Sequence, residues 1–413
     1  MGIARVISAS LSPNTEGDDV LRAFGMFLTP WRWQRGGSLA EVTRWFAEYL
    51  GNGDRPFFFN SGRSALFVIL KSFGIGEGDE VIVQAFTCVA VPNGVLWAGA
   101  TPVYADIDGT YNSAPRSVEK CVSRKTKAII VQHTFGVPAD MDSLLVIAKK
   151  HNLLLIEDCA HALGSRCNDT PLGTLGDAAF FSFGRDKSLS SVWGGAAVIR
   201  ARHKKAVDAL SRYHERVPQP NAGWIAQQLL HPILFALILP MYRLGIGKLL
   251  LFLMQRMRLL SFPVFATEKT GGKPLLFPAK YPEALAYLLI GQLKKLTRYT
   301  KMRQSIASYY AESLATLPGI TLPKLTNGSA PLRYTIEVAN PERMRSKAKK
   351  QGVLLGNWYN NIIDPRGVAF ISIGYKKGSC PVAESAASRV VNLPTLISGK
   401  DANAVVSLVR KLR

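Results

Sequence analysis

Lys187 follows the apolar run Ala178–Phe183 and a short polar turn, Gly184-Arg185-Asp186. An amine placed there, partly desolvated and close to other cations, would have the lowered pKa that Schiff-base chemistry needs. An ordinary exposed lysine fits the spacing equally well. Glu157 and Asp158 close the run Leu153–Ile156, and a carboxylate at a buried strand end needs a partner. A protonated ring nitrogen would serve, as would a salt bridge or a helix cap. His161, one turn further on, could hydrogen-bond a phenolic oxygen or simply pack in the core. The turn Asn60-Ser61-Gly62-Arg63 precedes the helix-like SALFVILKSF, so free N–H groups and a positive helix end could meet a phosphate there, with hydroxyls from Ser61 and Ser64. Such a turn also serves as a plain helix cap. An amine, an acid for a pyridinium and an anion cradle are together what a pyridoxal phosphate site requires, and Ser182 lies near the same strand end as Lys187.

These residues must be held by a sheet. From about Phe57 to Arg200, short apolar runs (EVIVQAF, KAIIVQH, LLLIED, AAFFSF, GGAAVIR) alternate with amphipathic stretches. That pattern predicts an α/β fold with a mostly parallel sheet covered by helices, and runs such as AIIVQ lack alternation, as strands buried on both faces do. Ligands in such sheets bind beyond the carboxyl ends of the strands, where the polar residues above fall. From about Phe277 onward, the long pattern ALAYLLIGQLKKLTRYTKMRQSIASYYAESLATL and the strand-like ITLPKL, APLRYTIEV and VLLGNWY predict a helix leading into a smaller C-terminal α+β domain. The expected division is a large domain over 1–223, an apolar helical insertion over 224–263, and a linking helix with the small domain over 264–413.

With 413 residues, 47% hydrophobic and 19% charged, the chain exceeds one usual core and is too apolar for disorder. Its five cysteines show neither a C-x-x-C pair nor zinc-ligand spacing, so no metal is expected. The opening MGIARVISASLSPNTEGDD lacks the charged start and apolar run of a secretory signal. A cytoplasmic protein with reduced thiols is the expectation. A net charge of +22 suits polyanions or anionic membranes. The basic residues are nevertheless scattered outside any helix-turn-helix, finger or RRM signature, and nucleic acid is not the expected partner.

The segments NSGRSALFVIL, GIGEGDEVIVQAFTCVAVPNGVLWAGATPVYADID, KTKAIIVQHTFGVPADMDSLLVIAKKHNLLLIEDCAHALGS, LGTLGDAAFFSFGRDKSLSS and WGGAAVI, then LIGQLKKL and CPVAESAASRVVNLPTL, occur in one order that closely resembles the DegT/StrS family of sugar-nucleotide aminotransferases, a fold-type-I pyridoxal phosphate group. The resemblance implies that Lys187 carries the cofactor, Asp158 pairs with its ring nitrogen and His161 contacts its ring hydroxyl. Ser182, Ser61, Gly62 and Arg63 would cradle its phosphate. It implies two half-transaminations, in which an amino acid, usually glutamate, gives its amino group to the cofactor and a keto-sugar receives it, with Lys187 moving the proton. Family members are dimers whose sites use both subunits, so a homodimer is expected.

Some positions depart from that pattern. The ring-stacking position, commonly aromatic, falls on Cys88, so Phe86 or another group would have to cover the cofactor. Arg63 stands where a small residue is common, facing either the phosphate or solvent. Val192-Trp193-Gly194-Gly195 replaces Gly-Glu-Gly-Gly, and Trp193 either reshapes the acceptor pocket or packs. Pro278 and Lys280 stand nearest to an asparagine and arginine that other members lend to a neighbouring subunit. The apolar stretch Trp224–Phe262 falls where members have a shorter connection. A spanning helix needs about 20 mainly apolar residues, whereas Pro232 and Pro240 bracket a shorter run and Lys248, Arg256 and Arg258 interrupt the rest. Two short helices in the membrane interface are the expectation, with a dimerisation or core-covering hairpin as the alternative. The expected activity is transamination of a keto-sugar, nucleotide- or lipid-carried, for a polysaccharide or glycoconjugate. The other reading is a non-catalytic cofactor-binding regulator or membrane scaffold.

Overall fold

Side chains along the apolar runs point to the two sheet faces in turn, and because both faces are covered the strands are buried nearly throughout. The computed structural model describes residues 6–51, 53–243 and 245–412. Seven strands form its central sheet: β1 (Pro56–Phe59), β2 (Glu80–Gln84), β3 (Thr101–Ala105), β4 (Thr126–Gln132), β5 (Leu154–Asp158), β6 (Ala178–Ser182) and β7 (Gly195–Ile199). Their order is β1-β7-β6-β5-β4-β2-β3. Only β7 runs against its neighbours, as the expected mostly parallel sheet allows. Phe57, Phe59, Ile156 and Phe180 face the helices Gly62–Ser72, Ala90–Ala98 and Lys204–Arg216. Phe58, Ala179 and Phe181 face the helices Gly17–Phe27, Ser38–Leu50 and Glu283–Leu293. Such double cover is what a continuous apolar strand requires.

A second, antiparallel sheet joins Ile320–Thr321, Arg333–Val338 and Val390–Pro394. It packs Tyr334, Ile336 and Leu393 with residues of the helices Leu296–Leu314, Pro341–Lys350 and Gly399–Leu412. Of the run VLLGNWY, only Val353–Leu354 is a strand, paired parallel with Ile7–Ser8. The rest is irregular because Asn357, Asn360 and Asn361 break the alternation and the segment wraps toward a cavity. The long amphipathic pattern is two helices rather than one, parted at Lys294 and Lys295. The Lys295 amine is drawn to Asp18 and Asp19, and Gln292 bonds the Asn14 carbonyl at 2.9 Å.

The apolar insertion is a helical pair, Ala222–Ile238 and Ile246–Arg256. Pro232 does not bound the first helix, as the sequence suggested, but lies inside it. It removes one helical N–H, and the packing of Ile225, Leu229 and Phe235 against the protein carries the helix through. Asn221 caps its start, accepting the Trp224 N–H at 2.8 Å. No helix among the described residues is long and apolar enough to cross a membrane.

Candidate active site

The carboxyl ends of β4, β5 and β6 open into one cavity of 500 Å³, lined by Ser61, Gly62, Arg63, Cys88, Asp158, His161, Ser182 and Lys187 among others. Strand pleating sorts the two acids that end β5. Glu157 points away from the cavity and accepts N–H groups from Gly173, Leu175 and Gly176 at 2.7–2.8 Å, with His133 at 3.3 Å. Burial works against its charge, yet these bonds hold it below the usual carboxylate range. Asp158 faces the cavity and accepts one N–H, from Ala160 at 2.9 Å. Burial pushes it up to about 6, so it is a buried acid short of a cationic partner.

Lys187 Nζ lies 2.9 Å from His161 Nε2. The Phe135 amide donates to Nδ1 of the same ring at 3.3 Å, and the Tyr359 hydroxyl lies 3.5 Å from Nε2. Burial pulls Lys187 below the ordinary lysine range and His161 well below that of histidine. Of the two readings of Lys187, the exposed surface residue is therefore excluded.

The phosphate cradle expected at Ser61–Arg63 is a helix start in close contact with β6 and β7. Ser61 caps Gly62–Ser72 through the Ser64 N–H. A Cβ on Gly62 would meet the Ser182 Cβ at 2.9 Å, and one on Gly195 would meet the Gly62 nitrogen at 2.5 Å. Glycine at both places lets the helix terminus, with its unpaired N–H groups, sit against the Ser182 hydroxyl. Arg63 differs from both alternatives offered by the sequence. Its guanidinium pairs with buried Glu268, donates to the Pro263 carbonyl at 2.6 Å and lies 5.2 Å from the Trp193 ring.

Phe86 does not cover the cavity. It is wholly buried, stacked on Tyr111 at 5.5 Å, with Phe135 and Tyr359 at its edges, one layer behind the wall. Aromatic surface comes instead from Trp358, Tyr359 and Trp193. Cys88 does line the cavity, its thiol pushed up by burial. Trp193 both lines the cavity and packs, lying on Phe265 at 5.9 Å and donating to Ser261 Oγ at 3.2 Å. Pro278 and Lys280 are not among the lining residues, and Lys280 pairs through its backbone with Pro218 at 2.9 Å.

Several wall residues were not anticipated. Asn357, Trp358, Tyr359, Asp364 and Arg366 come from the segment between the strands Arg333–Val338 and Val390–Pro394, and Val264 and Lys269 from the stretch just after the insertion. Asp364 pairs beside Cys88 in a short parallel ladder, and burial pushes it up to about 7. The one available signal was the polar and aromatic cluster NWYNN, which no strand or helix period explains.

A buried acid without a cation, a buried amine 2.9 Å from a histidine, and a glycine-lined helix start fit pyridoxal phosphate group by group. Sequence comparison decides the family: residues 15–219 and 253–410 match the DegT/DnrJ/EryC1/StrS aminotransferase family. The chain belongs to that family. This DegT/DnrJ/EryC1/StrS protein is 30% identical over 340 residues to a pleiotropic regulatory protein of Geobacillus stearothermophilus, covering 81% of this chain and 78% of that one. It is 29% identical over 337 residues to the UDP-N-acetyl-3-dehydro-alpha-D-glucosamine 3-aminotransferase of Acidithiobacillus ferrooxidans, covering 81% and 77%. Its fold matches DesV of S. venezuelae, solved in complex with a ketimine intermediate, at a TM-score of 0.72 and 27% identity over 95% and 94% of the two chains. The protein is thus a fold-type-I, pyridoxal phosphate-dependent aminotransferase. The family match is interrupted between residues 219 and 253, which covers the first insertion helix, the turn after it and the second helix as far as Phe252.

Proposed function

We propose that this aminotransferase moves an amino group from an amino acid, glutamate first among candidates, to a nucleotide-linked keto-sugar during polysaccharide or glycoconjugate biosynthesis. The observation that carries the reading is the Lys187–His161 contact beside Asp158 in one cavity. Bound pyridoxal phosphate supplies the electron sink that lets a substrate carbon lose its proton. Asp158 holds the proton on the ring nitrogen, and the charge it gains as a partner offsets its burial. The Gly62 helix terminus with Ser61 and Ser182 receives the phosphate, and the backbone of Arg63 adds to that cradle while its side chain holds Glu268. Cys88 stands at the ring-facing position. Lys187 Nζ, positioned by His161 Nε2, would take the proton from the substrate carbon and deliver it to the cofactor carbon. The wall of Trp358 and Tyr359 excludes water from that transfer. An intact amine, acid and cradle support turnover over the non-catalytic regulatory reading.

The test is the visible spectrum of the protein with pyridoxal phosphate, before and after L-glutamate, with Lys187→Ala as control. A long-wavelength band that requires Lys187 and bleaches with release of 2-oxoglutarate is expected. A band that glutamate leaves untouched overturns the glutamate assignment, and the absence of a band overturns the site.

Two further parts of the reading concern assembly. The working form is a homodimer, as the family resemblance implies, and sedimentation velocity of the purified protein checks it. The insertion rests on an anionic membrane surface. Supporting this, its second helix and the residue that follows it turn Leu249, Phe252 and Met257 outward at 58%, 61% and 63% exposure. Arg243, Lys248, Arg256 and Arg258 frame them, also exposed. An apolar stripe edged by cations suits acyl chains beneath lipid phosphates. Deleting residues 224–262 would also strip Ile225 and Leu229 from the core, so the better test is Leu249→Glu with Phe252→Glu. This pair should abolish co-sedimentation with anionic vesicles while leaving the folded protein intact. Unchanged binding would sink the proposal, and a lost dimer with unchanged vesicle binding would assign the stripe to the other subunit.

A further inference from the structure

Arg333, the first residue of the strand Arg333–Val338, is 2% exposed. Among the described residues no acceptor bonds any of its three guanidinium nitrogens. A buried guanidinium without a partner costs several kcal/mol in principle, and such groups in folded proteins call for an explanation. What holds it is aromatic: its central carbon lies 3.7 Å from the centre of the Trp358 ring. Trp358 in turn lines the catalytic cavity, and Lys187 Nζ is 5.1 Å from the same ring centre. One indole therefore separates the reactive amine and the cavity from a desolvated cation.

The other cations of the wall have partners. Arg63 is held by Glu268, Lys269 by the Arg366 carbonyl at 3.0 Å and Arg366 by Glu342 at 2.7 Å, while Arg185 bonds Ser261 through one nitrogen and leaves its Nε unpaired. Arg333 alone of these keeps its planar fork of donors unspent, and that fork matches a carboxylate in two parallel hydrogen bonds. Burial lowers its pKa without removing its charge, and Asp186 and Asp364 are near enough to favour the cation. An amino-acid donor presents a carboxylate on the carbon that bears its reacting amine. With the amine directed to Lys187, the carboxylate falls within the same small neighbourhood.

We infer that Arg333 is the carboxylate-binding residue for the amino donor, reached when the Trp358 indole turns off its guanidinium. The inference rests on the aminotransferase reading above. A donor carboxylate replaces a cation–π contact with a charge-assisted bidentate pair, so binding the donor and moving the indole are one event. A keto-sugar has no carboxylate at its reacting carbon and leaves Trp358 in place, which gives the two half-reactions different wall shapes in one cavity.

The test loads wild type, Arg333→Lys and Arg333→Leu with pyridoxal phosphate and follows the absorption change on adding aminooxyacetate or methoxyamine. Both reagents capture the cofactor, and only the first carries a carboxylate. Arg333→Leu should raise the half-saturating concentration of aminooxyacetate on the order of 100-fold and leave methoxyamine unaffected, with Arg333→Lys between. Equal losses with both reagents, or none with either, overturn the assignment. In parallel, cofactor-free protein is titrated with glutarate and its tryptophan fluorescence recorded. A saturable change that disappears in Arg333→Lys and in Trp358→Phe supports the site, and no change in wild type overturns it. Because that titration needs no cofactor, failure of the aminotransferase reading, seen as no absorption band at all, is distinguishable from failure of the carboxylate site.

Discussion

At the scale of single residues, Asp158 and Glu157 show how one peptide unit separates chemistry from structure. Both end the same buried strand, and the pleat gives one to the cavity and the other to three backbone N–H groups and His133. Asp158 has its pKa raised to about 6 by burial. A group raised above its unfolded value contributes stability that is present at low pH and lost as pH rises through the folded value. Cofactor-free Asp158→Asn should accordingly be more stable than wild type by roughly 3 kcal/mol at pH 8. The gain should vanish near pH 4, where wild type is protonated too, as denaturant melts at the two pH values would show. The same variant should bind pyridoxal phosphate weakly, since the pyridinium loses its partner. Glu157→Gln should behave oppositely, losing roughly 3–5 kcal/mol and showing no direct effect on the absorption of the loaded protein.

At the scale of elements, the cradle is a packing result. The start of the helix Gly62–Ser72 is pressed between β6 and β7 so closely that a single methyl group has no place to go. Gly195→Ala should destabilise by about 1–3 kcal/mol, whereas Gly62→Ala should act mainly by pushing Ser182 away. The expected readout for the latter is weaker retention of cofactor on dialysis, with a smaller shift in melting temperature. The insertion is tied to the same region: Ser261 Oγ receives the Trp193 N–H and donates to Gln228 at 2.9 Å, and His231 meets Ser12, whose N–H reaches Asp186 at 3.2 Å. Helices that look like an appendage in sequence thus support the turn that carries Lys187.

At the scale of the whole molecule, a net charge of +22 has no counterpart in the cavity, whose wall cations are mostly paired. It acts at the surface. If the insertion meets anionic lipid, each basic residue near the surface adds about 1 kcal/mol. Vesicle binding should then weaken steeply as salt shortens the Debye length, while activity on a soluble substrate stays constant. A salt-independent partition would place the binding in the apolar stripe alone.

Much of this protein was determined by its sequence. Period and composition set the α/β sheet, because strands buried on both faces must be continuously apolar, and the order of polar residues at their ends located Asp158, His161, Ser182 and Lys187 at one edge. Local patterning could not say which way Arg63 turns, since Glu268 lies 205 residues away. It also could not show that Phe86 stands behind the wall while Trp358 forms it, or that Arg333 waits beneath that indole. Those outcomes depend on contacts between distant segments, and only the packed tertiary structure chooses among rotamers and partners that the chain alone leaves equivalent.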